Sequence, residues 1–159
     1  EYYHLPTYII NLNQEPEMRF SQMATELKPQ INKLVDDYMH LVPRFLRNFF
    51  ESNMDVIKVR NLQHYREVDG IAKIVGKETW VIFMLNYAFE LSDVLCTSIV
   101  ARQPDGSIIH GRNMDFAFPD AMRNASYIAK FYRGDQYLYD AVMFGGYLGV
   151  ASAFKANAY

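Results

Sequence analysis

Residues 97–103 read TSIVARQ, residues 104–107 read PDGS and residues 108–116 read IIHGRNMDF. The two longer segments show the period-two pattern that is typical of strands, and the short segment between them consists of residue types that favour turns. This stretch predicts an antiparallel hairpin in which the Asp-Gly pair forms a two-residue turn. With that turn, Cys96 at the head of the first strand lies opposite Asp115 near the end of the second.

Cys96 is the only cysteine in the chain, so it forms no internal disulfide. Directly opposed residues in an antiparallel pair have Cβ atoms about 4.5–5.5 Å apart, which brings the Asp115 carboxylate beside the thiol or the backbone nitrogen of Cys96. Arg112 can approach the same point only if a bulge, which Gly111 could supply, interrupts the strand. Three alternatives remain open: a buried inert cysteine, a carboxylate that caps a turn and a surface arginine.

The histidines give little support to other catalytic arrangements. With the same turn, His110 lies opposite Ala101, so a Cys-His pair is not predicted. A triad of Ser98, His110 and an aspartate lacks the Gly-x-Ser-x-Gly sequence that surrounds such a serine in one large class of hydrolases. The four histidines, at positions 4, 40, 64 and 110, show no ligand spacing, and we expect neither a metal site nor a cofactor.

The chain upstream of the hairpin is predicted to be helical, with the main boundary near residue 95. Apolar residues recur there with a period of about 3.6, in segments that begin at a proline or a capping asparagine. The predicted helices run from Pro16 to Lys28, from Pro29 to Leu41, from Pro43 to Phe50, from Asn61 to Gly70 or Gly76, and from Glu78 to Glu90. The last is apolar on nearly all sides, which is typical of a buried helix.

A second hairpin is predicted downstream. Its strands are Tyr127–Tyr132 and Gln136–Phe144, around a turn at Arg133-Gly134-Asp135. Gly145, Gly146 and Gly149 then indicate a tight backbone passage. Helices followed by hairpins make the predicted fold class α+β.

Composition narrows the possible functions. Of the 159 residues, 50% are hydrophobic and the net charge is −2, which is typical of a domain with a substantial core and leaves no basic surface for nucleic acid. The longest apolar run, Trp80 to Phe89, is too short to cross a membrane. Asn124-Ala125-Ser126 is a glycosylation acceptor, which favours a secreted protein without its signal peptide over a cytoplasmic one.

Several motifs together resemble one family. Cys96-Thr97-Ser98-Ile99-Val100-Ala101, followed by His110-Gly111-Arg112-Asn113-Met114-Asp115-Phe116, closely resembles the acid ceramidase and N-acylethanolamine acid amidase family. Similar segments lie upstream, at Asn11-Leu12, at Pro16-Glu17-x-Arg19-Phe20 and at Asn86 to Glu90, and downstream at Gly146-Tyr147-Leu148-Gly149. The resemblance spans most of the chain.

The resemblance implies an N-terminal-nucleophile hydrolase of the choloylglycine hydrolase type, with an αββα sandwich. Such proteins cut themselves immediately before the nucleophilic cysteine. Cleavage between Leu95 and Cys96 would give a helical α subunit of residues 1–95 and a β subunit that begins with residues 96–159. The family's later catalytic asparagine and arginine, and its Asn-Glu-Arg stretch, have no counterpart here, so we expect the chain to be truncated.

The same resemblance implies that Cys96 is the nucleophile and that Arg112 and Asp115 are the family's catalytic arginine and aspartate. Cleavage frees an α-amino group, with a pKa of about 8 in model compounds, that serves as general base for its own thiol. We expect Asp115 to orient this amine and Arg112 to hold charge near the thiolate and the developing oxyanion. The thiolate then attacks an amide carbonyl, and water hydrolyses the thioester.

The expected substrate is a lipid amide. The spacing between Asp115 and Gly146 resembles N-acylethanolamine amidases, whereas Asn113-Met114-Asp115-Phe116 resembles ceramidases, and N-acylethanolamines are slightly favoured. The family acts at acidic pH in lysosomes, which implies a lysosomal or secreted protein. The alternative is a non-catalytic structural or lipid-binding homologue within a larger assembly.

One apolar stripe has two interpretations. Its residues recur at helical spacing, and they form either part of the core or a surface that contacts membranes or acyl chains. They are Leu41, Phe45, Leu46, Phe49 and Phe50.

Overall fold

The computed structural model describes residues 4–91, 95–115, 119–150 and 152–155, and within these ranges it describes the backbone alone for residues 88–91, 95–96 and 114–115. The elements follow in chain order: β1 (Thr7–Asn11), a 3-10 turn (Pro16–Met18), α1 (Ser21–Glu26), α2 (Lys28–Met39), α3 (Arg44–Arg60), α4 (Leu62–Val75), α5 (Thr79–Leu91), β2 (Leu95–Arg102), β3 (Ile108–Asp115), α6 (Pro119–Ala125), β4 (Ser126–Arg133), β5 (Gln136–Phe144) and β6 (Ser152–Phe154). The predicted α+β class is confirmed.

A four-stranded sheet has the order β1-β4-β5-β6. β1 pairs parallel with β4, and the other two pairings are antiparallel. Alternate residues of β1 and β4, such as Tyr8, Ile10, Tyr127 and Ala129, are buried in one core with residues of the helices, while Ile9 is 64% exposed. The segment before residue 95 therefore contributes a strand to the sheet of the second segment, which the sequence did not predict. The strand β6 and the short helix α6 were also missed.

The predicted helix from Pro16 to Lys28 is wrong, because the chain there forms a 3-10 turn followed by the separate helix α1. Tertiary contacts replace the continuous helix. Arg19 donates hydrogen bonds from Nη2 to the Leu12 carbonyl and from Nε to the Gln14 carbonyl. Gly70 of α4 lies so close to the backbone of Glu17 that a Cβ at this position would overlap it.

The other helix predictions differ mainly at their ends. α3 continues to Arg60 instead of ending at Phe50, since the sequence between them contains neither glycine nor proline. Asn61 caps α4 as predicted, because its Oδ1 accepts a hydrogen bond from the His64 backbone N–H. α4 is followed by Gly76, whose φ of 78° is the left-handed conformation that glycine adopts readily.

α5 is the most apolar of the helices. Four consecutive residues, from Ile82 to Leu85, are all buried, so the helix meets protein on more than one side. This confirms the prediction of a helix packed under other elements. None of the described helices combines the length and the apolarity that a membrane span requires.

Candidate active site

β2 and β3 form a two-stranded antiparallel sheet whose register differs from the predicted one by one residue. Cys96 lies opposite Met114, not Asp115. The cause is the turn, which has three residues instead of two. The Gly106 N–H donates to the Gln103 carbonyl and the Gln103 N–H to the Ser107 carbonyl, while Gly106 adopts a φ of 88°. A type I turn followed by a left-handed glycine gives this loop length.

Asp105 explains why the longer turn is stable. Its Oδ1 accepts hydrogen bonds from the backbone N–H and from the hydroxyl of Ser107, at 2.9 and 2.6 Å. The same two contacts hold the pKa of the Asp105 carboxyl below its usual range. The aspartate is therefore a turn-forming residue, and it sets the register of the whole hairpin.

The register assigns the predicted catalytic residues to different faces of the hairpin. Ser98 lies opposite Arg112 and Leu95 lies opposite Asp115. Because successive strand residues alternate between faces, positions 96 and 112 belong to one face of the hairpin, two pairs apart, and position 115 belongs to the other. The pairing runs without interruption through Gly111, so the described part of β3 lacks the bulge that would bring Arg112 and Asp115 to the same point.

The side chains of Cys96 and Asp115 lie outside the part of the chain whose side chains the structure describes. Their backbone positions are nevertheless informative. The pair Leu95–Asp115 and the pair Cys96–Met114 flank the peptide bond between Leu95 and Cys96. The backbone of Asp115 is thus beside the predicted cleavage point, and position 112 shares a hairpin face with position 96.

Arg112 also connects the hairpin to the larger sheet. Its Nη1 donates a hydrogen bond of 3.0 Å to Oγ of Ser152 in β6. On the opposite face, Oδ1 of Asn113 accepts a hydrogen bond from the Thr97 backbone N–H at 3.0 Å. These contacts hold the end of the hairpin that carries Cys96.

Ser98 and His110 are in contact. Ser98 Oγ and His110 Nε2 are 2.7 Å apart, and His110 lies opposite Val100 instead of Ala101 as predicted. The described positions on this face are otherwise apolar or basic, so they supply no carboxylate to orient the imidazole. A complete serine triad is therefore not formed within the described residues of the hairpin.

Asn86 is a residue whose role the sequence did not reveal. From α5, its Nδ2 donates to the Gly146 carbonyl at 2.9 Å, and its Oδ1 accepts from the Leu148 N–H at 2.8 Å. The glycines make this approach possible, because a Cβ on Gly145 would lie 2.7 Å from Ile31 Cγ1 and Gly146 has a φ of 84°. Two motifs that are 60 residues apart in sequence are thereby joined. The sequence feature that could have indicated this role is that Asn86 is a lone polar residue in the most apolar part of α5.

A cavity of about 570 Å³ lies beside this junction. It is lined by Asn61, His64, Asn86, Tyr87, Tyr147, Leu148 and Gly149. His64 packs against Phe83 with ring centroids 5.4 Å apart. Burial lowers the pKa of His64, and the nearby Glu67 carboxylate opposes this only in part, so the neutral imidazole is favoured.

The predicted glycosylation site lies at the end of α6. Asn124 is exposed, whereas Ser126 is 8% exposed and its Oγ donates to the Met122 carbonyl at 2.7 Å. Asn124 is therefore accessible in the fold.

Part of the chain matches a known family model. A family model described as the beta subunit of N-acylethanolamine-hydrolyzing acid amidase matches residues 3–55. This match falls within residues 1–95, which the resemblance implied to be an α subunit, whereas the family model is described as a beta subunit.

Curated relatives match almost the whole chain. Acid ceramidase of Rattus norvegicus is 27% identical over 170 residues, which are 95% of this chain and 43% of the relative. N-acylethanolamine-hydrolyzing acid amidase of Caenorhabditis elegans is 27% identical over 96% of this chain and 45% of the relative. The enzyme of the same name from Rattus norvegicus is 27% identical over 91% of the chain and 41% of the relative.

The chain therefore spans less than half the length of these curated relatives. The names of these relatives are those of the family that the sequence motifs suggested. By these matches the chain is similar to proteins of the acid ceramidase and N-acylethanolamine acid amidase family.

Proposed function

We propose that this chain supplies the nucleophile and two further catalytic residues of a cysteine amidase that hydrolyses lipid amides after cleavage between Leu95 and Cys96. The hairpin register carries the proposal. Cys96 stands at the start of β2, with Arg112 at the neighbouring pair on the same face and Asp115 opposite Leu95. Position 112 thus shares a hairpin face with position 96, and the backbone of Asp115 lies beside the bond to be cut.

Self-cleavage uses the same thiol as later turnover. The Cys96 sulfur adds to the Leu95 carbonyl carbon, the C–N bond breaks as the Cys96 nitrogen takes up a proton, and a thioester remains. Water hydrolyses this thioester, which releases the Leu95 carboxylate and a Cys96 residue with a free amine and a free thiol. Asp115 acts as the general acid–base group for the Cys96 nitrogen in this step, since its register position is beside the bond that breaks.

In turnover, the free amine of Cys96 takes the proton of the thiol, and the thiolate attacks the carbonyl carbon of a lipid amide. The guanidinium of Arg112 stabilises the negative charge that develops on the carbonyl oxygen. The amine product leaves with the proton, and water hydrolyses the acyl thioester to a fatty acid. N-acylethanolamines are the first substrate to test and ceramides the second, as the relatives' names suggest.

Mass spectrometry of the purified full-length protein tests this function. We expect acid incubation to give a fragment that begins at Cys96, together with hydrolysis of an N-acylethanolamine. Cys96→Ala should abolish both, while Thr25→Ala at an exposed position of α1 should retain both. Turnover that survives in Cys96→Ala would refute the mechanism. An intact chain without hydrolysis would leave the alternative, a non-catalytic lipid-binding or structural homologue.

The hairpin also supports the αββα sandwich of an N-terminal-nucleophile hydrolase as the fold of the longer protein. Apolar residues are exposed on both of its faces: Ile99, Val100, Ile108 and Ile109 are 54–67% exposed. An isolated two-stranded sheet is marginally stable in water, so these faces require further protein. We propose that additional strands cover them.

A membrane contact is proposed for the outer face of α3. Phe50 belongs to the core, but Phe45, Phe49, Val56 and Val59 are 69, 56, 54 and 84% exposed, and their helical spacing puts them on one side. An apolar helix face of this kind suits a lipid surface, which is where the proposed substrates reside.

Sedimentation with neutral phospholipid vesicles tests the membrane contact. The double variant Phe45→Ala, Phe49→Ala should lose most of the vesicle-bound fraction. Ile9→Ala, which removes an equally exposed apolar residue from β1, should not. Equal binding by both variants would refute the role of α3.

A lysosomal or secreted location and glycosylation at Asn124 complete the proposal. The exposure of Asn124 on α6 supports them. Treatment of protein from a secretory host with an N-glycosidase should lower its mass, and Asn124→Gln should remove this shift.

A further inference from the structure

We propose that the cavity between α4, α5 and the chain after Gly146 binds the uncharged, hydroxyl-bearing amide end of a lipid amide. The identity of this ligand rests on the proposed function, whereas the chemical selectivity of the cavity follows from its lining. The volume of about 570 Å³ lies within the usual range of small-molecule sites.

Three lining side chains have polar groups without a hydrogen-bond partner in the described part of the chain. Asn61 uses Oδ1 to cap α4, which leaves its Nδ2. His64 makes ring contacts with Phe83, and Tyr87 makes ring contacts with Phe50 and Phe83, but neither donates or accepts a side-chain hydrogen bond there. A ligand with hydroxyl and amide groups can satisfy all three.

The charge of the lining selects an uncharged ligand. With His64 neutral, none of the lining residues carries a formal charge. The charge that acts on His64 is the carboxylate of Glu67 on the same helix, and the titratable groups that share the cavity with it are the phenols of Tyr87 and Tyr147. A fatty acid carboxylate would find no cation among the lining residues, so the cavity favours the substrate amide over the acid product.

The wall opposite His64 is held in place from two sides. Asn86 fixes the chain at Gly146 and Leu148 through both ends of its amide group. Gly149 lies under the ring of Tyr147, and a Cβ at this position would collide with the phenol. A larger residue at 149 therefore forces the Tyr147 side chain to move and changes the shape of the cavity.

The rim leads to an apolar surface. Asn61 follows Arg60 and precedes Leu62, and the side chains of Val59 and Leu62 are 84% and 53% exposed. An acyl chain that leaves the cavity at Asn61 can lie along these residues, which continue the proposed membrane face of α3. The polar end of the ligand is thus held inside while its tail stays at the lipid side.

Calorimetric titration of the full-length protein tests the site. The probe is N-(2-hydroxyethyl)octanamide, the control ligand is octanoate, and both are used at pH 7.5 in a Cys96→Ala background that cannot hydrolyse the amide. We expect the amide to bind at least about tenfold more tightly than octanoate. Equal affinity for the two ligands would overturn the proposal.

Variants locate the binding. Gly149→Ala should weaken the amide about tenfold or more, and Tyr87→Phe, which removes only a hydroxyl, about three- to tenfold. Gly111→Ala is the matched control, because a Cβ there meets no atom within 4 Å, and it should leave affinity unchanged. If Gly149→Ala fails to fold by circular dichroism, Tyr87→Phe decides: unchanged affinity in that variant overturns the site.

The outcome is separable from that of the proposed function. Binding is measured without chemistry, so amide-selective binding would stand even if the protein with Cys96 intact hydrolysed nothing. The converse result is hydrolysis that depends on Cys96 while Tyr87→Phe leaves KM unchanged. That result would support the proposed amidase function and would refute a role for this cavity in substrate binding.

Discussion

Asp115 lies directly opposite Leu95 in the β2–β3 hairpin, one pair away from Cys96 and Met114. Asp115 is thus next to the residue whose carbonyl group forms part of the peptide bond that is predicted to be cleaved. Arg112, by contrast, lies on the face of the cysteine. We therefore expect the two residues to act in different steps of the proposed reaction.

Asp115→Asn should slow self-cleavage about a hundredfold, since general acid–base groups typically contribute factors of about 10²–10⁴. The fragment beginning at Cys96 would be followed by intact mass over time. Asp120→Asn is a suitable control, because that carboxylate is exposed and pairs with Arg123 on α6. Cleavage at the normal rate in Asp115→Asn would contradict the assignment.

Asn86→Leu should destabilise the fold by about 2–4 kcal/mol, because two backbone groups in a partly buried junction lose their hydrogen-bond partner. Urea unfolding measures this free energy. Asn53→Leu provides the comparison: Asn53 is half-buried in α3, its side chain bonds only the carbonyl of Phe49 one turn away, and a loss below about 1 kcal/mol is expected. Similar losses in both variants would show that the junction contributes little.

Arg19→Met should cost about 3–5 kcal/mol. Its Nη1 pairs with Glu67 at 2.7 Å, and the two side chains are only 9% and 14% exposed, so removal of the cation leaves a nearly buried carboxylate. Lys33→Met breaks the exposed pair with Asp37 and should cost less than about 0.5 kcal/mol. The difference in urea midpoint between the two variants checks this, and equal midpoints would refute it.

The folded protein should lose stability as the pH falls below 6.5, because His64 is then protonated more readily in the unfolded chain. Burial lowers the pKa of this residue from its usual 6.5, so below that value the unfolded chain binds a proton more readily than the folded one. Stability from the neutral ring is complete above pH 6.5 and decreases as the pH falls toward the lower pKa of the folded state. Thermal unfolding between pH 8 and pH 5 should show a smaller acid loss for His64→Phe than for the unchanged protein.

Features with local causes were predictable from the sequence. The cap at Asn61, the helix end at Gly76 and the strand Gln136–Phe144 agree with the structure, because each depends on neighbouring residues. The first hairpin was predicted as well, but its register was not. One hydrogen-bonding aspartate, Asp105, makes the turn one residue longer, and that moves every cross-strand pair.

Features that depend on distant partners were missed. β1 pairs with β4, where Thr7 lies opposite Ile128. The two strands are far apart in the sequence, so no local sequence pattern predicts that they pair. Likewise, Asn86 acquires its role only when α5 meets the chain at Gly146. The candidate site was predicted as a set of residues, whereas the division of Arg112 and Asp115 between two faces required the register.

The parallel pairing of β1 with β4 has a consequence for a chain cut between Leu95 and Cys96. Backbone hydrogen bonds from Thr7–Asn11 would still attach the N-terminal piece to the sheet of the other piece, and Tyr8 and Ile10 would remain in the common core. Cleavage would then create a new amine without releasing a fragment. The two products would migrate separately under denaturing conditions, and they would migrate together as a heterodimer under native conditions.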